Sequence, residues 1–263
     1  MKTRILVKEG EYRLAKAFCM DAKIDAEELY CFLTGIDRVH LFLKANEEVD
    51  PETEEKYMEL IARRAQRIPL QHITGVQEFM GHTFKVSPDV LIPRQDTETL
   101  VLEAGRTIQA NPQKKAGFWD KLKGRGDWEV LDLCCGSGVV GISLTKMYSN
   151  IKVTATDISE AALKVAEENA ENLRTKIKFL QGDMFAPLNG KKFDMIVSNP
   201  PYIRTNMISI LQEEVKKHEP LSALDGGRDG LDFYRTIVEQ AADHLTPEGW
   251  LMMEIGHDQG EDL

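Results

Sequence analysis

The sequence predicts an α/β protein: a small helical N-terminal domain followed by a Rossmann-like domain with a mostly parallel sheet. Three observations carry this expectation. Residues 1–75 show apolar residues at helical spacing with no strand-like alternation. From Glu129 onward, short apolar or β-branched runs alternate with helical patterns, which implies a sheet covered by helices on both faces. Between these regions, residues 76–90 read as a β-hairpin linker, leaving 91–263 for the larger domain.

Taken in order, Asp25 followed by Glu28 reads as a capping pair ahead of Leu29, Phe32 and Leu33. Asp50-Pro51 predicts an N-cap with proline at the first helical position, opening a stretch that carries Tyr57, Leu60, Ile61 and Ile68 and ends near Pro69. Val76 to Met80 and Thr83 to Val86 flank Gly81-His82 as the arms of a hairpin. Asp96 is placed to cap a helix reaching about Arg106, followed by a polar segment from Asn111 to Asp127. Five strands follow: Glu129 to Leu133, Ile151 to Thr156, Ile177 to Leu180, Phe193 to Val197 and Trp250 to Ile255. Helical patterns lie between them, at Val139 to Met147 and after Ser159, where Leu163, Ala166, Ala170 and Leu173 share one face.

Bulk properties exclude several classes. The 263 residues carry a net charge of −10, which argues against a nucleic-acid binder, since phosphate contacts need a basic surface. The one concentrated basic stretch, Lys114 to Arg125, reads as a solvated loop. No run approaches the roughly 20 apolar residues that span a bilayer, and Met1 to Gly10 is too polar for a secretory signal, so a cytoplasmic protein with no membrane partner is expected. Cys19, Cys31, Cys134 and Cys135 form no C-x-x-C pair and the six histidines lack ligand spacing, so no metal site is expected.

Ligands of such sheets bind beyond the carboxyl ends of the strands. There the sequence places Cys134-Cys135-Gly136-Ser137-Gly138, closing the first strand and opening a helix. The loop is not a dinucleotide fingerprint, because Cys134 stands where its first glycine would be. Asp157 ends the second strand, nineteen residues after Gly138, where an acid accepts from ribose hydroxyls. Gly182-Asp183-Met184-Phe185 follows the third strand, with Asp183 suited to an adenine amino group and Met184 and Phe185 to its ring. Each segment alone also fits a plain turn. In sequence, they point to an adenosine-bearing cofactor without pyrophosphate, S-adenosylmethionine.

The fourth strand ends in Ser198-Asn199-Pro200-Pro201-Tyr202. Two prolines remove two backbone donors and fix both φ angles, leaving carbonyls free to accept. The Asn199 side-chain oxygen and the Pro200 carbonyl are suited to grip the two hydrogens of an NH₂ group, with Tyr202 packed against its plane. The plainer alternative is a stiff turn that ends the strand. A carboxamide nitrogen is a poor nucleophile, and no strong general base stands out, so catalysis would rest on positioning and electrostatics.

These residues make the sequence similar to the HemK/PrmC family of protein-(glutamine-N5) methyltransferases, over nearly the whole chain. Leu91-Ile92-Pro93-Arg94-Gln95-Asp96-Thr97-Glu98 resembles the family's I-P-R-P-D-T-E segment, Asn199 to Tyr202 its N-P-P-Y, and Leu224 to Leu231 a further family segment. The resemblance implies methyl transfer to the glutamine of the Gly-Gly-Gln motif in class-1 peptide-chain release factors, with S-adenosyl-L-homocysteine as product. It implies that Cys134, Cys135, Gly136, Ser137, Gly138, Asp157, Asp183, Met184 and Asn199 bind the cofactor. Asn199, Pro200, Pro201 and Tyr202 would hold the substrate, with Asn199, Pro200 and Tyr202 catalytic. The N-terminal helices would help hold the protein substrate, and a monomer is favoured.

Three departures stand out. Gln95 replaces the usual proline, Cys134-Cys135 replace Gly-Thr or similar, and the sequence ends at Leu263. The last leads us to expect that two further strands common to this fold are missing. The competing reading is a DNA or RNA methyltransferase acting on an exocyclic amine, which N-P-P-Y serves equally well and which needs a flipped or single-stranded base.

Overall fold

The computed structural model describes residues 1–111 and 127–263. The basic stretch from Lys114 to Arg125, and most of the polar segment from Asn111 to Asp127, fall outside the described residues. In chain order the first elements are α1 (Thr3–Lys16), α2 (Ala22–Thr34), α3 (Arg38–Leu43), α4 (Pro51–Ala65), α5 (Leu70–Thr74), β1 (Val76–Phe79), β2 (His82–Lys85) and α6 (Thr97–Ala110). They are followed by β3 (Trp128–Leu133), α7 (Val139–Met147), β4 (Ile151–Asp157), α8 (Glu160–Asn172), β5 (Ile177–Gln181) and β6 (Phe193–Ser198). Last come α9 (Glu213–His218), α10 (Asp232–His244) and β7 (Leu245–Met253). The chain divides into two compact units: Met1–Gly75 with Gln212–His218, and Val76–Leu211 with Glu219–Leu263.

The first unit is helical. Its core joins Leu6 and Leu14 of α1, Leu29 of α2, and Tyr57 and Ile61 of α4, all fully buried. Asp50 caps α4 as expected, accepting from the Thr53 N–H at 2.9 Å, with Pro51 at the first helical position. Asp25 does not cap. The N-cap of α2 is Asp21, and Asp25 lies inside the helix, buried, where it accepts from Arg64 Nε at 2.7 Å. The acid that resembled a capping residue is instead half of a buried ion pair. Arg64 also donates to Glu214 of α9 at 3.0 Å, and Arg67 Nε to the same oxygen at 2.6 Å. Nothing in α9 is buried, so its polar sequence gave no helical stripe to read.

The second unit begins with the β1–β2 hairpin, whose register pairs Phe79 with His82. Its two-residue turn is therefore Met80-Gly81, one residue earlier than expected. Both turn residues have positive φ, 50° and 71°, as a type I′ turn requires. The expected Asp96 cap is absent. Asp96 is already helical, at φ −59° and ψ −34°, and its side chain makes no cap bond.

The sheet has the order β5-β4-β3-β6-β7, and every neighbouring pair is parallel. Central β3 aligns Val130 with Val153 on one side and Met195 on the other. All six residues of β6 are buried, as a strand covered on both faces demands. Ser159 caps α8, accepting from the Ala162 N–H at 3.1 Å, and Leu163, Ala166 and Ala170 are buried on its inner face. The fifth strand begins at Leu245 rather than Trp250 and ends before Ile255, with a register shift opposite Phe193 and Met195. The chain leaves β3 for β4 on one side and later returns to β6 on the other. That switch point opens a crevice at the carboxyl ends of these strands.

Candidate active site

At the end of β3, Cys134, Gly136 and Gly138 have φ of 60°, 53° and 79°. Left-handed residues fold the loop back onto the strand ends, and at Cys134 a side chain occupies a conformation that favours glycine. A Cβ at Gly136 would meet nothing within 4 Å, so this glycine leaves its face of the loop open to a ligand.

The loop is tied down by Asp157. Its Oδ2 accepts from the Gly136 N–H at 2.8 Å and its Oδ1 from the Ser159 N–H at 2.9 Å. Burial pushes this carboxyl up, and the N–H groups of Ser159, Gly136 and Ile158 pull against that shift. Each oxygen keeps further lone-pair capacity for ligand hydroxyls. Asp132 is more deeply placed, with its Oδ2 accepting from the Gly141 N–H at 2.8 Å. Burial pushes its carboxyl up to about 7. Burial also pushes the Cys134 thiol up to about 12 and the Cys135 thiol well above its ordinary value, so neither is a nucleophile at neutral pH. The Cys134 sulfur lies 3.7 Å from the Met184 sulfur.

These groups surround a cavity of about 280 Å³. Cys134, Cys135, Gly136, Ser137, Asp157, Asp183, Met184, Asn199 and Pro201 all line it. Gly138, Pro200 and Tyr202 are not among the lining residues. At Gly138 an added Cβ would press on Ile142 and Ala166 at 3.0 and 3.1 Å, so its task is packing at the helix start. The Tyr202 hydroxyl donates to Glu254 Oε1 at 3.3 Å, and burial, with the Glu254 charge next, pushes the phenol up to about 12. Phe185 corrects an expectation. It is buried in the core and stacks on His244 with centroids 4.9 Å apart, away from the cavity lining.

The 199–202 segment is held from several sides. Ser198 Oγ donates to the Leu133 carbonyl at 2.7 Å, joining the ends of β3 and β6. Asn199 Nδ2 donates to Thr97 Oγ1 at 3.1 Å. The segment from Leu224 to Leu231 lies against it: the Ile203 N–H donates to the Leu224 carbonyl, and the Gly226 N–H to the Ile203 carbonyl. A Cβ at Gly226 would sit 2.7 Å from Tyr202 Cα and 2.8 Å from the Pro201 carbonyl oxygen, so only glycine fits this approach.

Sequence reasoning missed Thr97, Asp132 and Arg94 as members of the site. All three line the cavity, and Arg94 donates to buried Glu219 at 2.6 Å. The only signal for Thr97 and Arg94 was the segment from Leu91 to Glu98, to which no chemistry had been attached. Asp132 was hidden as one acid in an apolar strand. Among the described residues no group of three or more His, Cys, Asp or Glu could hold a metal ion. No helix among them is long and apolar enough to cross a membrane.

Comparison with known proteins bears on this geometry. Residues 6–75 match the PrmC N-terminal domain family, and residues 118–218 match the Methyltransferase small domain family. The chain is 42% identical over 248 residues to the release factor glutamine methyltransferase of Geobacter sulfurreducens, covering 94% of this chain and 82% of the relative. It is 41% identical over 263 residues to the protein of the same description in Moorella thermoacetica, covering 99% of this chain and 88% of that one.

Proposed function

The chain belongs to the release factor glutamine methyltransferase family, and from that premise we propose its reaction. It transfers a methyl group from S-adenosylmethionine to the side-chain amide nitrogen of the Gly-Gly-Gln glutamine in class-1 peptide-chain release factors. The observation that carries this reading is one cavity lined both by Asn199 and Pro201 and by the 134–137 loop with Asp157. An NH₂ grip and an adenosine cradle share a wall.

The residues suit the cofactor. Asp157 offers two carboxylate oxygens, each fixed by a backbone N–H, to the ribose hydroxyls. Met184, lining the cavity, would give the purine an apolar surface, and Asp183 would accept from its amino group. Cys134 and the open face at Gly136 flank the methionine end. When bound, the cofactor supplies an electrophilic methyl carbon on a sulfonium and leaves as S-adenosyl-L-homocysteine.

The chain's own work is to orient the acceptor. Asn199 Oδ1 accepts one N–H of the glutamine amide, and the carbonyl of Pro200, between the lining residues Asn199 and Pro201 though not itself one of them, would accept the other. This holds the nitrogen with its lone pair turned out of conjugation and toward the methyl carbon. Tyr202, anchored on Glu254, stiffens the turn that carries these acceptors. The surplus proton leaves for water after transfer, so no general base is needed. Positioning of this kind replaces entropy the reactants would otherwise lose in the transition state. The protein works in the cytoplasm, where release factors are found.

Incubation with labelled cofactor and purified release factor tests the reading. Label should enter the wild-type factor and be absent from a Gln→Ala variant of its Gly-Gly-Gln loop. Equal labelling of both, or labelling of DNA or RNA instead, would overturn it.

A further inference from the structure

We propose that Thr97 is a positioning residue that anchors the Asn199 side-chain amide against rotation, with its oxygen left for the acceptor nitrogen; this rests on the function proposed above. A primary amide has an accepting oxygen at one end and a donating NH₂ at the other, and rotation about its last bond exchanges them. Only the oxygen can receive an N–H from a substrate amide. With the ends exchanged, two NH₂ groups would face each other.

The structure holds the backbone of Asn199. Its backbone continues from β6, whose Ser198 is pinned to the Leu133 carbonyl. Pro200 follows, and a residue before proline is confined to extended backbone. The side-chain amide is anchored in this orientation by the Nδ2 bond to Thr97 Oγ1 at 3.1 Å. Among the described residues no protein donor is bonded to Asn199 Oδ1, so that atom is left to the acceptor.

Thr97 is suited to the task. It is the first residue of α6 and 2% exposed, and its N–H donates to the Arg94 carbonyl at 3.2 Å. A β-branched side chain in a helix has few rotamers, so the oxygen stays where the fold puts it. Both residues line the same cavity. Thr97 itself makes no bond to substrate in this account and acts only through Asn199.

The test uses the full chain with Thr97→Val, which keeps the shape and removes the acceptor, and Thr97→Ser, which keeps it. Loss of one buried hydrogen bond predicts that Thr97→Val slows single-turnover methyl transfer roughly 10- to 100-fold. Cofactor Kd and release-factor KM should stay within about twofold, and Thr97→Ser should restore most of the rate. In an Asn199→Ala background, Thr97→Val should cost nothing further, because the two act as one unit. A transfer rate for Thr97→Val within about threefold of wild type would overturn the proposal. So would a parallel fall in cofactor affinity, or a full additional loss beside Asn199→Ala.

The ¹⁵N-detected side-chain amide signal of Asn199 separates this from the functional reading. Its two protons should be well separated and slow to exchange in the wild type, and should converge and exchange faster in Thr97→Val. If the wild-type enzyme leaves release factor unmethylated, the functional reading falls. The amide signal still decides for Thr97, and a signal indifferent to Thr97→Val overturns its role.

Discussion

On the proposed reading the chemistry concentrates at Asn199, whose amide accepts at one end while being held at the other. On this account Asn199→Ala removes the acceptor and leaves the cofactor cradle of Asp157 and the 134–137 loop intact. Turnover should fall by roughly 100-fold or more, as expected for loss of a group that stabilises the transition state, while cofactor affinity measured by calorimetry stays near wild type. If cofactor affinity falls as steeply as turnover, Asn199 belongs to the cofactor rather than the acceptor. Asp132 makes a prediction of a different kind. Its carboxyl, pushed by burial to about 7 from an ordinary value of 3.8, favours the neutral form in the folded protein. The folded state is then not penalised below pH 4, and loses stability as pH rises from about 4 to about 7, where the unfolded chain ionises first. The cost over that window is roughly 4 kcal/mol. Asp132→Asn should remove this slope while its side-chain oxygen still accepts from Gly141. Urea unfolding of both proteins at pH 4, 5.5 and 7 checks it; parallel stability curves would mean that Asp132 ionises freely.

At the scale of elements, the turn from Asn199 to Tyr202 depends on the segment from Leu224 to Leu231 packed against it. A Cβ at Gly226 would meet backbone atoms at 2.7 and 2.8 Å, and backbone does not yield as a flexible side chain does. Gly226→Ala should therefore destabilise the protein by about 1–3 kcal/mol and cut turnover disproportionately, because the shift falls on the acceptor turn. Full turnover with unchanged unfolding temperature would show that the turn holds itself. In the helical unit, Arg64 joins Asp25 and Glu214 with 7% of its side chain exposed. Arg64→Met strands Asp25, while Glu214 keeps Arg67, and a loss of roughly 3–5 kcal/mol in urea unfolding follows. A loss below about 1 kcal/mol would mean that water reaches the pair.

The elements differ in how far the sequence announced them. β3 and β6 were plain, because strands covered on both faces are nearly continuous apolar runs, as at Val130-Leu131 and Met195 to Val197. The cap at Asp50 was plain because proline and aspartate act locally. Asp25 and Asp96 misled because an acid near a helix start signals a cap only when its backbone lies outside the helix. The start of β7 was obscured because Pro247 and Gly249 interrupt its apolar run, although pairing already begins at Leu245. The Asn199–Thr97 bond was invisible, since a contact spanning 102 residues leaves no periodicity to detect.

Over the whole molecule, two compact units reflect two patterns in the sequence: helical spacing alone through Gly75, then strand and helix alternating. The gathering of residues at the cavity was readable because parallel sheets concentrate ligand contacts at strand ends, so that position in the chain predicted position in space for the loop, Asp157 and Asp183. Phe185 fell outside that logic because it lies just beyond the strand end and turns inward to His244. The net charge of −10 suits a protein acceptor better than a polyanion.

The central claim is that the cavity methylates an amide nitrogen of glutamine, and the fate of the methyl group tests it most directly. Release factor labelled by this enzyme is digested, the Gly-Gly-Gln peptide is isolated, and it is hydrolysed in acid. Methyl on the side-chain amide nitrogen is released as labelled methylamine, leaving unlabelled glutamate, and that is the result expected. Label that stays with the amino acids or appears as methanol would contradict a nitrogen acceptor, and label found in another peptide would contradict the glutamine.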